Sequence, residues 1–140
     1  MASWDDVERI ALSLPLVHEK DAGTSFDGWR VWKIHGDKGK QVVWERPMRS
    51  SDLRQLEAAG IEPPDGESIA VRTPDMETKR ARIEELEACF DIPHFAKYTG
   101  VLVLLEDVAV DDLQELIEES WLAVAPKRAA KEWLAARDES

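Results

Sequence analysis

Apolar residues recur along this chain in two rhythms. Trp4, Val7, Ile10, Ala11 and Leu14 repeat at helical spacing between Ser3 and Pro15. That pattern predicts an amphipathic helix capped by the serine and stopped by the proline, with Asp5 and Asp6 in the first turn, where the helix dipole favours them. Residues 16–27 read as a loop, with Phe26 beginning a short strand. The period then falls to two. Residues 29–35 place Arg30, Trp32 and Ile34 on one face and Trp29, Val31, Lys33 and His35 on the other, and residues 41–46 place Val42 and Trp44 together. Gly36-Asp37-Lys38-Gly39-Lys40 joins the two as a hairpin, and Pro47 ends the second strand.

Helix and strand signals alternate from there. Ser50 or Ser51 caps a short helix carrying Leu53 and Leu56, which Gly60 closes. Residues 68–73 form a strand with Ile69 and Val71 inward. Thr73-Pro74 opens a helix whose thin stripe of Met76, Ile83, Leu86 and Phe90, set among Lys79, Arg80, Arg82 and several glutamates, makes it largely solvated. Residues 91–100 are an aromatic-rich connection. Residues 101–105 are apolar at consecutive positions, as in a strand covered on both faces. Asp111 or Asp112 caps a helix with Leu113, Leu116, Ile117, Ser120, Trp121 and Val124 on one side, and Pro126 opens a last helix with Ala130, Trp133 and Leu134. The order α, two or three β, α, β, α, β, α, α predicts an α+β fold: an antiparallel sheet with helices packed on one face. No repeat or linker divides the chain, so residues 1–140 are read as one domain.

Composition narrows the functional classes. Of 140 residues, 44% are hydrophobic and 34% charged, which is a folding composition. No apolar run is long enough for a membrane span, and the first residues, Met1-Ala2-Ser3-Trp4-Asp5-Asp6, lack the basic and apolar regions of a secretory signal. A cytoplasmic protein without membrane association is expected. The single cysteine excludes an internal disulfide, and acidic neighbours around Cys89 argue against a nucleophile. Phosphate-cradling, dinucleotide-binding, nucleophile-elbow, calcium-loop and zinc-hydrolase motifs are all missing, so no catalytic residue, metal or cofactor is assigned. The acidic runs around Glu84 to Glu87 and Glu115 to Glu119 read as solvated helix faces.

The net charge of -11 repels polyanions, but it is uneven. Residues 28–48 carry five bases against two acids, and residues 99–125 carry seven acids and no base. Two local basic strips follow. One is the hairpin, where alternation leaves either Trp29 or Trp32 on the more exposed side, free to stack on a base or ligand beside Arg30, Lys33, Lys38, Lys40 and Arg46; cross-strand packing is the plainer reading. The other is Lys127, Arg128 and Lys131, where Lys127 and Lys131 share a helix face and contact phosphates or, more plainly, offset the acids of residues 106–119. His94, with Lys97 and Tyr98, joins the Lys127 helix start as an anion corner, or simply pins its loop through a backbone carbonyl.

An ordered set of segments then stands out. Trp4-Asp5-Asp6-Val7 with Ala11-Leu12-Ser13-Leu14-Pro15 resembles the opening of the MmcQ/YjbR family. Phe90-Asp91-Ile92-Pro93-His94-Phe95, then Tyr98 and the apolar strand, resembles its Phe-x-x-Pro-His-Tyr segment, with Phe95 where tyrosine is usual. Leu113, Leu116 and Trp121, closing in Ala125-Pro126-Lys127-Arg128, resemble its C-terminal signature. The resemblance implies a YjbR-like fold, similar to CyaY and secretion-chaperone-like domains, and non-enzymatic DNA binding. A patch of Trp29, Arg30, Lys33, His94, Lys97, Tyr98, Lys127, Arg128 and Lys131 would make the nucleic-acid or anion contacts. Two alternatives stand beside it: a chaperone-like protein adaptor, and a small-anion or metal binder. Both a monomer and a homodimer fit.

Overall fold

The computed structural model describes residues 2–20, 29–35 and 39–138. The strand proposed to begin at Phe26 and the turn residues 36–38 lie outside them. In chain order the elements are α1 (Trp4–Ser13), β1 (Val17–Glu19), β2 (Val31–Ile34), β3 (Gln41–Glu45), α2 (Ser50–Ala58), β4 (Ser68–Arg72), α3 (Met76–Glu85), β5 (Cys89–Phe90), a 3-10 turn (Pro93–Phe95), β6 (Gly100–Leu104), α4 (Val110–Val124) and α5 (Lys127–Asp138). The strands form one antiparallel sheet in the order β1-β2-β3-β4-β6-β5. This is the expected α+β architecture with an antiparallel sheet, but the helices do not all pack on one face: α2 lies on the side opposite α1 and α4.

Side chains alternate across the sheet and divide the interior in two. Trp32, Val43, Ile69, Val71, Val101 and Val103 face α1 and α4, and α5 packs outside them through Ala129, Ala130 and Trp133. Val31, Trp44, Ala70 and Leu102 face the other way, under a thinner cover of Leu56 from α2 and Ile92 and Phe95 beside the 3-10 turn.

The start of α1 explains itself locally. Ser3 accepts from the Asp6 amide at 3.3 Å while Asp6 accepts from the Ser3 amide at 2.9 Å, a reciprocal cap. These bonds and Arg9 hold the Asp6 carboxyl below its ordinary range. On α4, Ser120 Oγ donates to the Val42 carbonyl and accepts the Arg72 amide at 2.9 Å. That tie rests on an irregularity. Trp32 faces Val43 but Lys33 faces Gln41, which leaves Val42 as an extra residue, and its carbonyl is satisfied by the serine.

Several expectations need correction. Val42 does not share a face with Trp44: the bulge turns Val42 into the helix-side core beside Val43. Residues 17–19, read as loop, form β1, a short edge strand whose polar His18 and Glu19 hide its pattern. The helix expected to run to Phe90 starts behind Asp75 rather than at Pro74 and ends at Glu85, and Cys89 and Phe90 pair with β6. That helix is not merely solvated, because Lys79 is 2% exposed. The caps of α2 and α4 are Arg49 and Ala109, which places Ser50, Ser51, Asp111 and Asp112 inside the first turns.

Candidate functional site

On the thinly covered face the sheet, α2 and the 3-10 turn leave a cavity of about 440 Å³. Its floor is Val31 and Trp44, directly opposed across β2 and β3. Trp29 lies two residues before Val31 and shares its face by alternation. Lys20 and Gln41 complete the sheet side. Arg46 and Arg49 come from the short link between β3 and α2, which Pro47 prevents from continuing the strand. His94, Phe95 and Tyr98 close the far wall.

That wall is held from behind by a buried cation. Lys79 Nζ donates to the Phe95 and Tyr98 carbonyls and lies 3.3 Å from an Asp91 oxygen. A buried ammonium is tolerated where carbonyls and a carboxylate replace water. Pro93 fits the first position of the turn, with Ile92 extended before it. Gly100 completes the wall: a Cβ there would stand 2.7 Å from the Tyr98 ring and 2.8 Å from the Val71 carbonyl, so no side chain fits beneath the tyrosine.

The aromatic rings and the cations interleave. Arg49 stacks over Trp29 with its guanidinium carbon 4.7 Å from the ring centre, and Arg46 lies 5.9 Å from Trp29 and 5.5 Å from Phe95. Arg72 reaches over Trp44 at 5.6 Å while donating to the Gln41 carbonyl at 2.7 Å. Tyr98 meets Trp44 and Phe95 edge to face. Arg46 is buried and pairs with buried Asp52 at 2.9 Å. Burial pushes the Asp52 carboxyl upward, but the Arg49 amide, the Arg46 guanidinium and the nearby His94 outweigh it and hold the group below its ordinary range. Asp52 sits behind the lining. Among the described residues, those lining the cavity include two arginines, a lysine and a histidine, and no carboxylate.

Among the described residues no group of three or more His, Cys, Asp or Glu side chains converges as a metal site would require. Cys89 is buried, and burial, reinforced by Asp112 and Glu119, pushes its thiol up to about 12. It is not a nucleophile at neutral pH.

No family model matches the chain. Its sequence is 44% identical over 136 residues to the uncharacterized proteins Mb2600 of Mycobacterium bovis and Rv2570 of Mycobacterium tuberculosis, covering 96% of this chain and 98% of each relative. The chain belongs to the family of these mycobacterial proteins. The crystal structure of Deinococcus radiodurans protein DR2400, a DUF419 domain, matches with a TM-score of 0.63 at 20% identity over 94% of this chain and 88% of that one. At that identity the likeness shows a shared fold.

Within this family member, the nine residues proposed from sequence do not form one patch. Trp29, His94 and Tyr98 meet at the cavity. Lys97, two residues past the 3-10 turn, is exposed and does not line it, and Lys33 lies opposite Gln41 in the strand pairing, half-buried. Arg30 points to the helix side. There it makes a two-pronged contact with Glu19 at 2.9 Å and stacks over Trp32 at 4.7 Å. The Glu19 bonds, against the opposing effect of burial, raise its already high pKa.

Lys127, Arg128 and Lys131 lie on exposed turns of α5, which packs on the helix-covered face. The anion corner of His94 with Lys127 is therefore not formed, since the sheet lies between them. Nor does His94 pin its loop; Lys79 does. The acids of α4 are met by Arg82 on Glu119 at 2.7 Å and Arg137 on Glu118 at 3.1 Å rather than by Lys127 or Lys131. Sequence reasoning missed Lys20, Gln41 and Arg49. The available signal was the pair of arginines flanking Pro47 just after a tryptophan-bearing strand.

Proposed function

We propose that this chain is a non-enzymatic binding domain whose ligand is a small, flat, negatively charged molecule of the nucleotide class, held in the cavity between Trp29, Trp44 and the 3-10 turn. The observation that carries this reading is the lining itself. In a protein of net charge -11, the described residues lining the cavity include four aromatic residues, two arginines, a lysine and a histidine, and no carboxylate. An aromatic ring stacked on a base contributes about 1–3 kcal/mol, and guanidinium groups beside it suit a phosphate. The volume of about 440 Å³ falls in the range of small-molecule sites, roughly 300–1,000 Å³.

The resemblance to the MmcQ/YjbR family supports nucleic acid as the broader class. The charge distribution favours a single nucleotide over a duplex, because the acidic α4 and the overall field repel an extended polyanion.

Titration calorimetry with a panel of mononucleotides, the matching nucleosides, inorganic phosphate, single-stranded DNA and duplex DNA tests this. The expected result is micromolar binding of one or more mononucleotides, at least about tenfold weaker for nucleoside or phosphate alone. Trp29→Ala and Arg49→Gln should each abolish it with little change in melting temperature. Binding of single-stranded DNA without mononucleotides would replace this reading with the DNA one. Binding of nothing, or binding indifferent to Trp29→Ala, would end it.

A further inference from the structure

A second concave surface lies at the far end of α2, and its chemistry is the reverse of the cavity's. Gly60, with φ of +71°, closes α2 in the left-handed conformation that glycine tolerates, and the Ile61 amide bonds back to the Leu56 carbonyl at 2.9 Å. Ile61 is thereby fixed in place, yet it remains 53% exposed, and Leu53, eight residues earlier on α2, is 43% exposed. On one side of Ile61 is a depression of about 470 Å³ beside Leu53, Gly60 and Pro63. On its other side is a smaller one of about 180 Å³ among Leu56, Pro64, Phe90 and Leu104. An apolar cavity of roughly 150 Å³ accepts a benzene ring, so each depression takes one apolar side chain.

The rims carry Glu57, Glu62, Glu87 and Asp91, and among the described residues those lining the two depressions include no lysine, arginine or histidine. Asp91 is directed to Lys79. Among the described residues Glu57, Glu62 and Glu87 make no ion pair. Exposed apolar floor ringed by uncompensated carboxylates is costly to leave open, and its complement is specific. A second copy of this acidic chain would bring like charge to the rim, and a purely apolar ligand would leave the carboxylates unmet.

We propose that this paired depression docks a short peptide segment of another protein, one carrying two apolar side chains flanked by lysine or arginine. The apolar side chains seat on either side of Ile61, and the basic groups meet Glu57, Glu62 and Glu87. Pro63 and Pro64 hold the groove in shape, which lowers the ordering cost of binding. This surface is separate from the aromatic cavity and does not depend on what that cavity holds.

The test uses the isotope-labelled full chain and three synthetic peptides, read by amide chemical shifts. The first carries two leucines among lysines and serines, the second replaces both leucines with serine, and the third replaces the lysines with glutamate. The first should bind, with shifts centred on Leu53, Ile61 and Phe90, and the other two at least about tenfold more weakly. Ile61→Ser and Glu62→Lys, both at exposed positions, should each weaken the first peptide by a similar factor, and Trp29→Ala should leave it unchanged. Equal binding of the first two peptides would show adhesion of polycations to an acidic protein and overturn the proposal. So would shifts centred elsewhere, indifference to Glu62→Lys, or binding of none of the three.

Discussion

The two faces of the sheet are built from the same strands and differ in what covers them. On the helix side, α1 and α4 seal a layer of aliphatic residues around Trp32 and Trp121, both fully buried. On the other side α2 and the 3-10 turn are too short to close the layer, and the uncovered ground is filled with aromatic rings and guanidinium groups. Complete cover selects for shape, since interiors pack to the density of organic crystals. Partial cover selects for side chains that are apolar along their length and polar at the tip. The cavity is where the second rule operates. Arg46 and Trp29 are half of the cover and half of the binding surface at once.

The comparison breaks most plainly at its two tryptophans. Trp121 donates its indole N–H to the Pro15 carbonyl at 2.9 Å and packs against Trp133 with ring centres 5.3 Å apart. Trp121→Ala should destabilise the protein by about 3–5 kcal/mol, the range for emptying a large core site. Trp29→Ala, at the half-buried rim, should cost less than about 1 kcal/mol. Denaturant melts of the two variants check this, and similar losses would mean that the open face is core rather than site.

How much of this was legible in the sequence follows the range of the interactions involved. Alternation alone separates Trp29 from Trp32 and predicts that one is the more exposed; that one is Trp29. Helical spacing finds α1 and α4 with their buried residues. The bulge at Val42 has no local signature, because its cause is a carbonyl matched to Ser120, 78 positions away. Lys79 reads as one more charge on a polar helix, and only the arrival of carbonyls 16 and 19 residues further on makes its burial tolerable. The basic cluster of α5 and His94 were brought together by motif order, which carries no information about which side of a sheet an element lies on.

The ion pair behind the cavity lining offers the next effect in size. Asp52→Asn keeps the shape and removes the charge that Arg46 faces. Removing one partner of a buried pair costs about 3 kcal/mol or more where no water can replace it. The loss here should fall at the lower end, because Asn still accepts the Arg49 amide. The native carboxyl ionises below its ordinary value of 3.8. Its contribution is therefore complete above that pH and is lost as pH falls further, and the variant should lack this acid-sensitive part of the stability profile. Thermal melts against pH would show it. An unchanged acid limb would mean that the Arg46–Asp52 pair does not stabilise this side of the sheet.

The smallest effect lies at the sheet edge beyond the cavity. Val17 of β1 faces the helices, so its neighbour His18 faces the other side, paired with Lys33 and stacked on His35 with ring centres 4.4 Å apart. Its Nδ1 is buried with no hydrogen-bond partner among the described residues. Burial, then the charges of His35 and Lys33, lower its pKa below 6.5. The folded state thus resists protonation more than the unfolded chain does, so stability is full above pH 6.5 and declines as pH falls below it. His18→Phe preserves the stacked ring and removes the titration. The melting temperature of this variant should vary less than that of the natural protein just below pH 6.5, with little difference between them above neutrality. Parallel curves would place the pH sensitivity elsewhere. They would also leave the edge of the open face as indifferent to charge as the sealed face is.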